Sequence, residues 1–253
     1  MKANCFKPIL LEEMDQVKLM NRIDRKYWFS IEDLQEVLQS VQNQYMLLQI
    51  EGQDQLSYAT TYYDTSFNEM FVAHHNGKLN RYKIRKRCYV NSGISFLEIK
   101  FKNNKGRTIK KRMPTNFSDK QFTAEEVEFI QSKTPYKVKN LKVKLVNNFT
   151  RLTLVNRNFK ERCTIDLNVH FEQEDKAVDL NNLVIVEIKS DAQSSSSPLA
   201  VALRNLHHNA SGFSKYCIGR TLTDYSLKRN AFKAKIRSIE KVIHFDQNLY
   251  KIV

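Results

Sequence analysis

Glycine and proline are scarce in this 253-residue chain, with 6 and 4 respectively. So few breakers exclude a low-complexity or disordered chain and leave room for long regular elements. Cysteine is equally thin. Cys5, Cys88, Cys163 and Cys217 stand far apart with no C-x-x-C pair. That excludes a disulfide scaffold or a cysteine zinc site and predicts reduced thiols in a cytoplasmic protein. No signal-peptide pattern opens the sequence, and no apolar run is long enough to span a bilayer. A glycine-rich phosphate loop and a Ser-His-Asp arrangement are also missing. Acidic residues are outnumbered, 27 against 41 Lys and Arg, for a net charge of +14. The surplus calls for an anionic partner: nucleic acid, an anionic membrane or a phosphorylated small molecule.

What the chain does have is a run of cations, Arg81-Tyr82-Lys83-Ile84-Arg85-Lys86-Arg87. Read as a strand, it puts Arg81, Lys83, Arg85 and Arg87 on one face. Tyr82, Ile84 and Cys88 share the other with an exposed Lys86. Like charges in a row destabilise a sheet unless solvent screens them or a polyanion sits on them.

Taken in order, residues 7–20 read as a helix, and Asn21 to Phe29 as a short strand holding the only Trp. Ser30 suits an N-cap before a helix with Leu34, Val37, Leu38 and Val41 at helical spacing. Residues 45–50 and 57–63 read as strands. Phe71 to His75 reads as another, with Asn76-Gly77 as a hairpin turn. Adjacent strand residues point to opposite faces, so neither His74-His75 nor His207-His208 makes a metal site. Residues 81–113 form a meander, with Glu98, Lys100 and Lys102 on one face of its middle strand and Lys110 and Arg112 together on the last. Thr123 and Glu126 have capping-box spacing. Three more strands follow, at 149–155, 162–168 and 183–189. Cys163, like Cys88, falls on an apolar strand face, where a thiol packs as a small hydrophobe. A serine-rich loop at 191–197 leads to a helix opened by Pro198, and residues 230–243 form a basic amphipathic helix. No linker divides the chain, so one domain over 1–253 is expected.

Strand after strand has one apolar face and one charged face. An open antiparallel sheet with solvent on its charged side fits this pattern. So does an α+β fold built on a closed antiparallel barrel, with a charged lumen and helices packed outside. The spread of the charges from residue 81 to 189 and their cationic bias favour the lumen. A cationic lumen would bind a polyanion, because unpaired buried charge is costly. Asp166 is expected to pair with an Arg. Glu98 is open between metal ligand, ion pair and base.

The ordered stretches Arg25-Lys26-Tyr27-Trp28, Lys83-Ile84-Arg85-Lys86-Arg87, Leu97-Glu98-Ile99-Lys100, Phe149-Thr150-Arg151, Arg162 to Asp166, Val186-Glu187-Ile188-Lys189 and Phe213-Ser214-Lys215-Tyr216 resemble a known family. It is the VTC domain, the polyphosphate polymerase branch of the triphosphate tunnel metalloenzymes. The resemblance covers about residues 21–220. It implies an antiparallel barrel around a basic tunnel that binds triphosphates and a divalent metal, Mn²⁺ or Mg²⁺. It casts Arg85, Arg87, Lys100, Arg151, Arg162 and Lys215 as catalytic cations. Lys26, Lys83, Lys110, Arg112, Lys189 and Ser214 become further phosphate ligands, Phe149 a base-stacking ring at the mouth, and Glu187 the metal ligand. The E-x-E-x-K signature of the cyclase and thiamine-triphosphatase relatives is absent near the N-terminus, which favours the polymerase branch.

The resemblance therefore implies transfer of a terminal phosphoryl group from a nucleoside triphosphate, ATP above all, to phosphate or polyphosphate. Hydrolysis of tripolyphosphate or a nucleoside triphosphate in the same tunnel is the alternative, as is a non-catalytic polyphosphate- or RNA-binding module. No nucleic-acid partner is expected. A cytoplasmic location, peripheral to the inner face of a membrane with a membrane partner for product export, completes the expectation.

Overall fold

The computed structural model describes residues 6–17, 22–119, 121–191 and 197–242. The strands are β1 (Lys7–Ile9), β2 (Arg22–Ser30), β3 (Tyr45–Leu48), β4 (Leu56–Thr65), β5 (Arg81–Tyr89), β6 (Ile94–Lys102), β7 (Thr108–Pro114), β8 (Leu141–Asn156), β9 (Glu161–Gln173), β10 (Lys176–Leu180) and β11 (Leu183–Asp191). The α-helices are α1 (Leu34–Val41), α2 (Glu69–His75), α3 (Ala124–Lys133), α4 (Pro198–Asn205), α5 (Lys215–Thr223) and α6 (Asn230–Val242). None is long and apolar enough to cross a membrane.

One antiparallel path orders the sheet β2-β11-β9-β8-β4-β5-β6-β7. Short β3 and β10 attach to β8 and β9, and β1 lies parallel on β3. The fold is α+β as expected. The closed barrel is not formed by strand pairing: β2 and β7 end the path, and no pairing joins them among the described residues. β7 is an exposed strand carrying Lys110, Lys111 and Arg112 and ending in Pro114. That is the composition of an edge protected against further pairing.

The sheet nevertheless curls. Lys26 on β2 donates to the Phe213 carbonyl at 3.2 Å, and Lys83 on β5 donates to Ser214 Oγ at 3.0 Å. Five strand spacings separate β2 from β5, roughly 24 Å if the sheet were flat. Two lysines that far apart along the path meet one short segment only across a concavity.

The outer face is apolar. Leu152, Leu154, Ile165, Val186 and Ile188 pack under α1 and α4, while Ile84, Leu97 and Ile99 form a second cluster with Ile130 of α3. On the concave side instead, α5 packs against β8 and β9, with Tyr216, Cys217 and Ile218 in a cluster that includes Tyr62, Leu145 and Phe171. Its approach requires Gly219, because a Cβ there would sit 2.6 Å from both Leu145 Cδ2 and Phe171 Cδ1. In an ordinary helix Gly→Ala stabilises by about 1 kcal/mol. Here overpacking reverses the sign, and Gly219→Ala should destabilise by about 1–3 kcal/mol. Urea unfolding of the two proteins measures it.

Local signals at two places lose to longer contacts. The helix expected over 7–20 is instead β1 followed by a 3-10 turn at Glu12–Gln16, with 18–20 outside the described residues. Backbone pairing with β3 decides the first part. The strand expected at Phe71 to His75 is α2. Buried Asp64 accepts the Met70 and Phe71 amides at 3.0 and 2.9 Å, satisfying the helix start. Asn76-Gly77 ends that helix rather than turning a hairpin: Gly77 takes φ +68° and Lys78 N bonds the Ala73 carbonyl. The histidines therefore sit on a helix. Burial, then Lys83 and Arg81, push His74 down to about 3, so it is neutral. His75 Nε2 accepts from Ala231 N at the start of α6. Of the serine-rich loop, 192–196 lie outside the described residues. Ser197 caps α4, with Pro198 opening that helix.

Candidate functional site: a cationic concave face

Alternation along β5 turns Lys83, Arg85 and Arg87 inward, and register carries the pattern across the sheet. Thr60 pairs with Arg87 and Tyr62 with Arg85. Arg85 faces Glu98 and Lys83 faces Lys100. Beyond them, Glu98 faces Arg112 and Lys100 faces Lys110. On the other limb Arg151 faces Asp166, Lys189 faces Arg162, and Lys26 faces Glu187. Lys83, Lys100 and Lys110 thus stand in one row across three strands. Like charges directly opposite destabilise a sheet, and an anion bound between them removes the penalty.

Three carboxylates lie within this layer. Glu98 takes Arg85 at 2.7 and 2.5 Å, together with Lys110. Asp166 takes Arg151 at 2.5 and 2.8 Å, together with Lys215 from α5. Glu187 sits 3.2 Å from Lys189 and 3.9 Å from Lys26. Burial alone would raise all three carboxyls. For Glu98, Arg85 and Lys110 outweigh it; for Asp166, Arg151 and Lys215 do. Glu187 is held down against burial by Lys189, Lys26, Lys100 and Arg151 in turn. Lys100 lies five strands from Glu187 along the path, so its influence is exerted across the concavity. Asp166 and Glu98 are thus ion-pair partners, the first as expected and the second resolving an open choice.

Among the described residues Lys83, Arg87 and Lys100 have no carboxylate ion pair, and Lys215 shares Asp166 with Arg151. Among the described residues Lys100 has no hydrogen bond or ion pair, and Arg85 followed by burial pushes its ammonium well below the usual lysine range. Arg87 donates to Thr60 Oγ1 at 3.2 Å and has no carboxylate ion pair among the described residues. Burial and Arg85 bring it down to about 10. Lys83 is held down chiefly by burial. Burial lowers Lys215 to about 8, with Asp166 opposing and Arg151 adding to the fall.

Ser214 Oγ caps α5 at Cys217 N, 3.2 Å, so its hydroxyl already serves two donors. Arg112 is exposed and lies 4.3 Å over the Phe96 ring, at the outer margin of the face. Phe149 is placed differently from a ring at a tunnel mouth. It is 3% exposed and stacks on Tyr58 at 5.1 Å, with Lys215, Arg151 and Arg87 within cation–π reach. It serves as an aromatic floor for the cations, and a base could reach it only by displacing them. Tyr62 was not singled out by the sequence, yet its hydroxyl accepts from Arg85 at 3.3 Å. The Tyr58, Thr60, Tyr62 alternation beside the cationic strand was the available signal.

Lys86 does point to the opposite face but is not exposed. It is 1% exposed and pairs with Glu126 of α3 at 3.1 Å. Glu126 also completes the capping box with Thr123. Removing one partner of a buried pair costs about 3–5 kcal/mol. Lys86→Ala should therefore lower the melting temperature strongly, while the protein that remains folded binds triphosphate as before. Thermal melts with and without tripolyphosphate separate the two effects.

Among the described residues no group of three His, Cys, Asp or Glu side chains could hold a metal alone. Glu98 and Asp166 each hold an Arg by two bonds and a Lys besides, whereas Glu187 meets two lysines at 3.2 and 3.9 Å, which makes it the most loosely engaged of the three. One carboxylate with phosphate oxygens and water suits a hard cation such as Mg²⁺. The donor set fits an ion that arrives chelated by a triphosphate.

No curated protein matches the sequence. A candidate adenylyl cyclase from Hippeastrum, whose structure revealed a dominant triphosphatase activity, shares the fold with TM-score 0.51 at 11% identity. The match covers 79% of this chain and 95% of that one. A candidate adenylate cyclase from Vibrio parahaemolyticus aligns with TM-score 0.46 and 11% identity over 78% and 97% of the two chains. The sequence matches the VTC domain over residues 21–223, the span that carries every inward cation named above. The chain belongs to the VTC domain family.

Proposed function

We propose that the concave face binds the triphosphate of a nucleoside triphosphate, ATP being the best fit, and passes its terminal phosphoryl group to phosphate or a growing polyphosphate chain. The observation that carries this reading is the inward layer itself. Lys26, Arg85, Lys110, Arg151, Lys189 and Lys215 pair with Glu98, Asp166 and Glu187, and Lys83, Arg87 and Lys100 stand in the same layer, so these cations outnumber those carboxylates. The excess positive charge suits a ligand with several anionic groups in line, as in a tunnel. Arg85 and Arg87 are 6% and 8% exposed. An enclosed layer fits a slender phosphate chain better than a nucleic-acid duplex, which needs exposed cations.

Glu98 and Asp166 take the Nε and Nη2 donors of Arg85 and Arg151 and so fix both guanidinium planes, leaving their remaining Nη hydrogens for phosphate oxygens. Arg87 and Lys100 neutralise charge on the group in transfer. A phosphate nucleophile supplies its own attacking oxygen, so the face needs no strong protein base. Tunnel metalloenzymes use a divalent metal, which when bound would neutralise phosphate oxygens, and Glu187 would hold it here.

Purified protein incubated with ATP and Mn²⁺ or Mg²⁺ tests the reading. Polymerisation yields long phosphate chains and ADP; free phosphate alone would make the protein a hydrolase. Glu187→Gln keeps the size but loses the charge. Its turnover should fall at limiting metal and recover in part at high metal, with melting little changed. Full activity of Glu187→Gln at limiting metal would make Glu187 only an ion-pair partner.

A further inference from the structure

Three lysines converge on the four residues Ser211 to Ser214. Lys26 donates to the Phe213 carbonyl at 3.2 Å and Lys83 to Ser214 Oγ at 3.0 Å. Lys235 of α6 donates to Ser211 Oγ at 3.0 Å and to the Gly212 carbonyl. Ser211 N also bonds the Lys26 carbonyl at 2.7 Å. This segment runs directly into α5, whose cap is Ser214 and whose first residue, Lys215, reaches Asp166.

The first two lysines belong to the cationic face, so a bound phosphate chain competes with the protein for them. Lys235 does not. It lies on a helix beyond the family match, which ends at residue 223. Its helix neighbours Lys233, Arg237 and Lys241 are exposed, whereas Lys235 is half-buried against the segment. α6 is itself anchored through buried Ile236 and Ile239, through Phe232 against Phe71 and His75, and through Ala231 N on His75 Nε2.

We propose that Lys235 is a positioning residue: it holds Ser211 and Gly212 in place so that Ser214 and Lys215 stay aimed at the bound phosphates when Lys26 and Lys83 turn to the ligand. The inference rests on the triphosphate reading and adds a part for the helix outside the matched domain. Positional precision of this kind governs phosphoryl-transfer rates, and small displacements cost large factors.

The test compares Lys235→Met, which keeps an apolar stem without the ammonium, with Lys215→Ala, Lys235→Arg and the Lys215→Ala/Lys235→Met double variant. Readouts are tripolyphosphate affinity by calorimetry, ATP turnover, and melting without ligand. Lys235→Met should lower kcat/KM about tenfold or more, Lys235→Arg should restore much of it, and the double variant should be little worse than Lys215→Ala, since residues acting through one another are not additive. Unchanged kcat/KM in Lys235→Met would overturn the proposal. So would full additivity, or a fall in apo melting with normal kcat/KM at a temperature where the protein is folded. If Lys215→Ala leaves tripolyphosphate affinity intact, the site reading has failed instead, because Lys215 sits in the face itself. Should Lys235→Met not fold, Ser211→Ala reads the same coupling with a smaller loss, and additivity there counts equally against it.

Discussion

Arg87→Ala is expected to slow turnover about ten- to a hundredfold while leaving the unliganded protein as stable as before, or more so. A charge-assisted hydrogen bond to phosphate contributes roughly 1.5–3 kcal/mol, and losing it from the transition state gives a factor of that size. Stability moves the other way because Arg87 has no carboxylate ion pair among the described residues and stands against Arg85 and Arg151. Arg87→Lys should not restore the rate, since the planar fork is lost. Arg85→Ala provides the contrast. Both arginines stand in the like-charged row of β5, where loss of a cation relieves repulsion. The structure separates them, because Arg85 makes two bonds to Glu98, which is 0% exposed. Its removal weakens the compensation of a buried carboxylate and should lower melting as well as turnover. Turnover and melts with and without tripolyphosphate, run on both alanine variants, measure the difference. Equal losses of apo stability would mean that Arg87 is a structural ion like its neighbour.

Triphosphate binding should weaken as pH rises above about 8, while the unliganded fold gains stability over the same range. Lys215 carries the clearest signal, lowered to about 8 by burial despite the Asp166 carboxylate. In the unfolded chain a lysine holds its proton up to about 10.4. Between those values the unfolded state binds more protons than the folded one, so unfolding becomes harder as pH rises. The ligand needs the charged form, so affinity falls by up to about tenfold per pH unit for each proton required. Lys100, pushed down by Arg85, acts in the same direction. Binding near pH 8 must then draw protons from solution. Calorimetry in two buffers of different ionisation enthalpy reads that uptake directly. Constant affinity from pH 7 to 9.5 with no proton uptake would remove Lys215 and Lys100 from the ligand.

Most of this face was legible before any coordinates. Period-two alternation assigned Lys83, Arg85 and Arg87 to one side, and put Lys100 and Lys110 on charged faces of their own strands; that the two stand opposite each other is a matter of register. Burial of the opposite face was not legible at Lys86, because a lysine reads as exposed until its partner is known, and Glu126 lies forty residues further on in a different element. Closure of the barrel was inferred from the spread and cationic bias of the strand charges and from the family resemblance, and neither says whether β2 and β7 meet. The α2 helix escaped for a related reason: its start is satisfied by Asp64 at the end of a strand rather than by a local cap. The role of Phe149 depended on side-chain stacking with Tyr58, one strand away. At Lys86 and Phe149 the deciding contact is remote in sequence, where propensity and periodicity carry no information.

The central claim is that the inward cations, and not the exposed ones, hold the triphosphate. A crystal structure with tripolyphosphate or a non-hydrolysable ATP analogue bound tests it most directly. The account predicts phosphate oxygens within about 3 Å of Arg87, Lys100 and Lys215, at hydrogen-bond distance. Phosphates bound only to Lys111 on the β7 edge, or to Lys233 and Arg237 on the outside of α6, with the concave face empty, would contradict it.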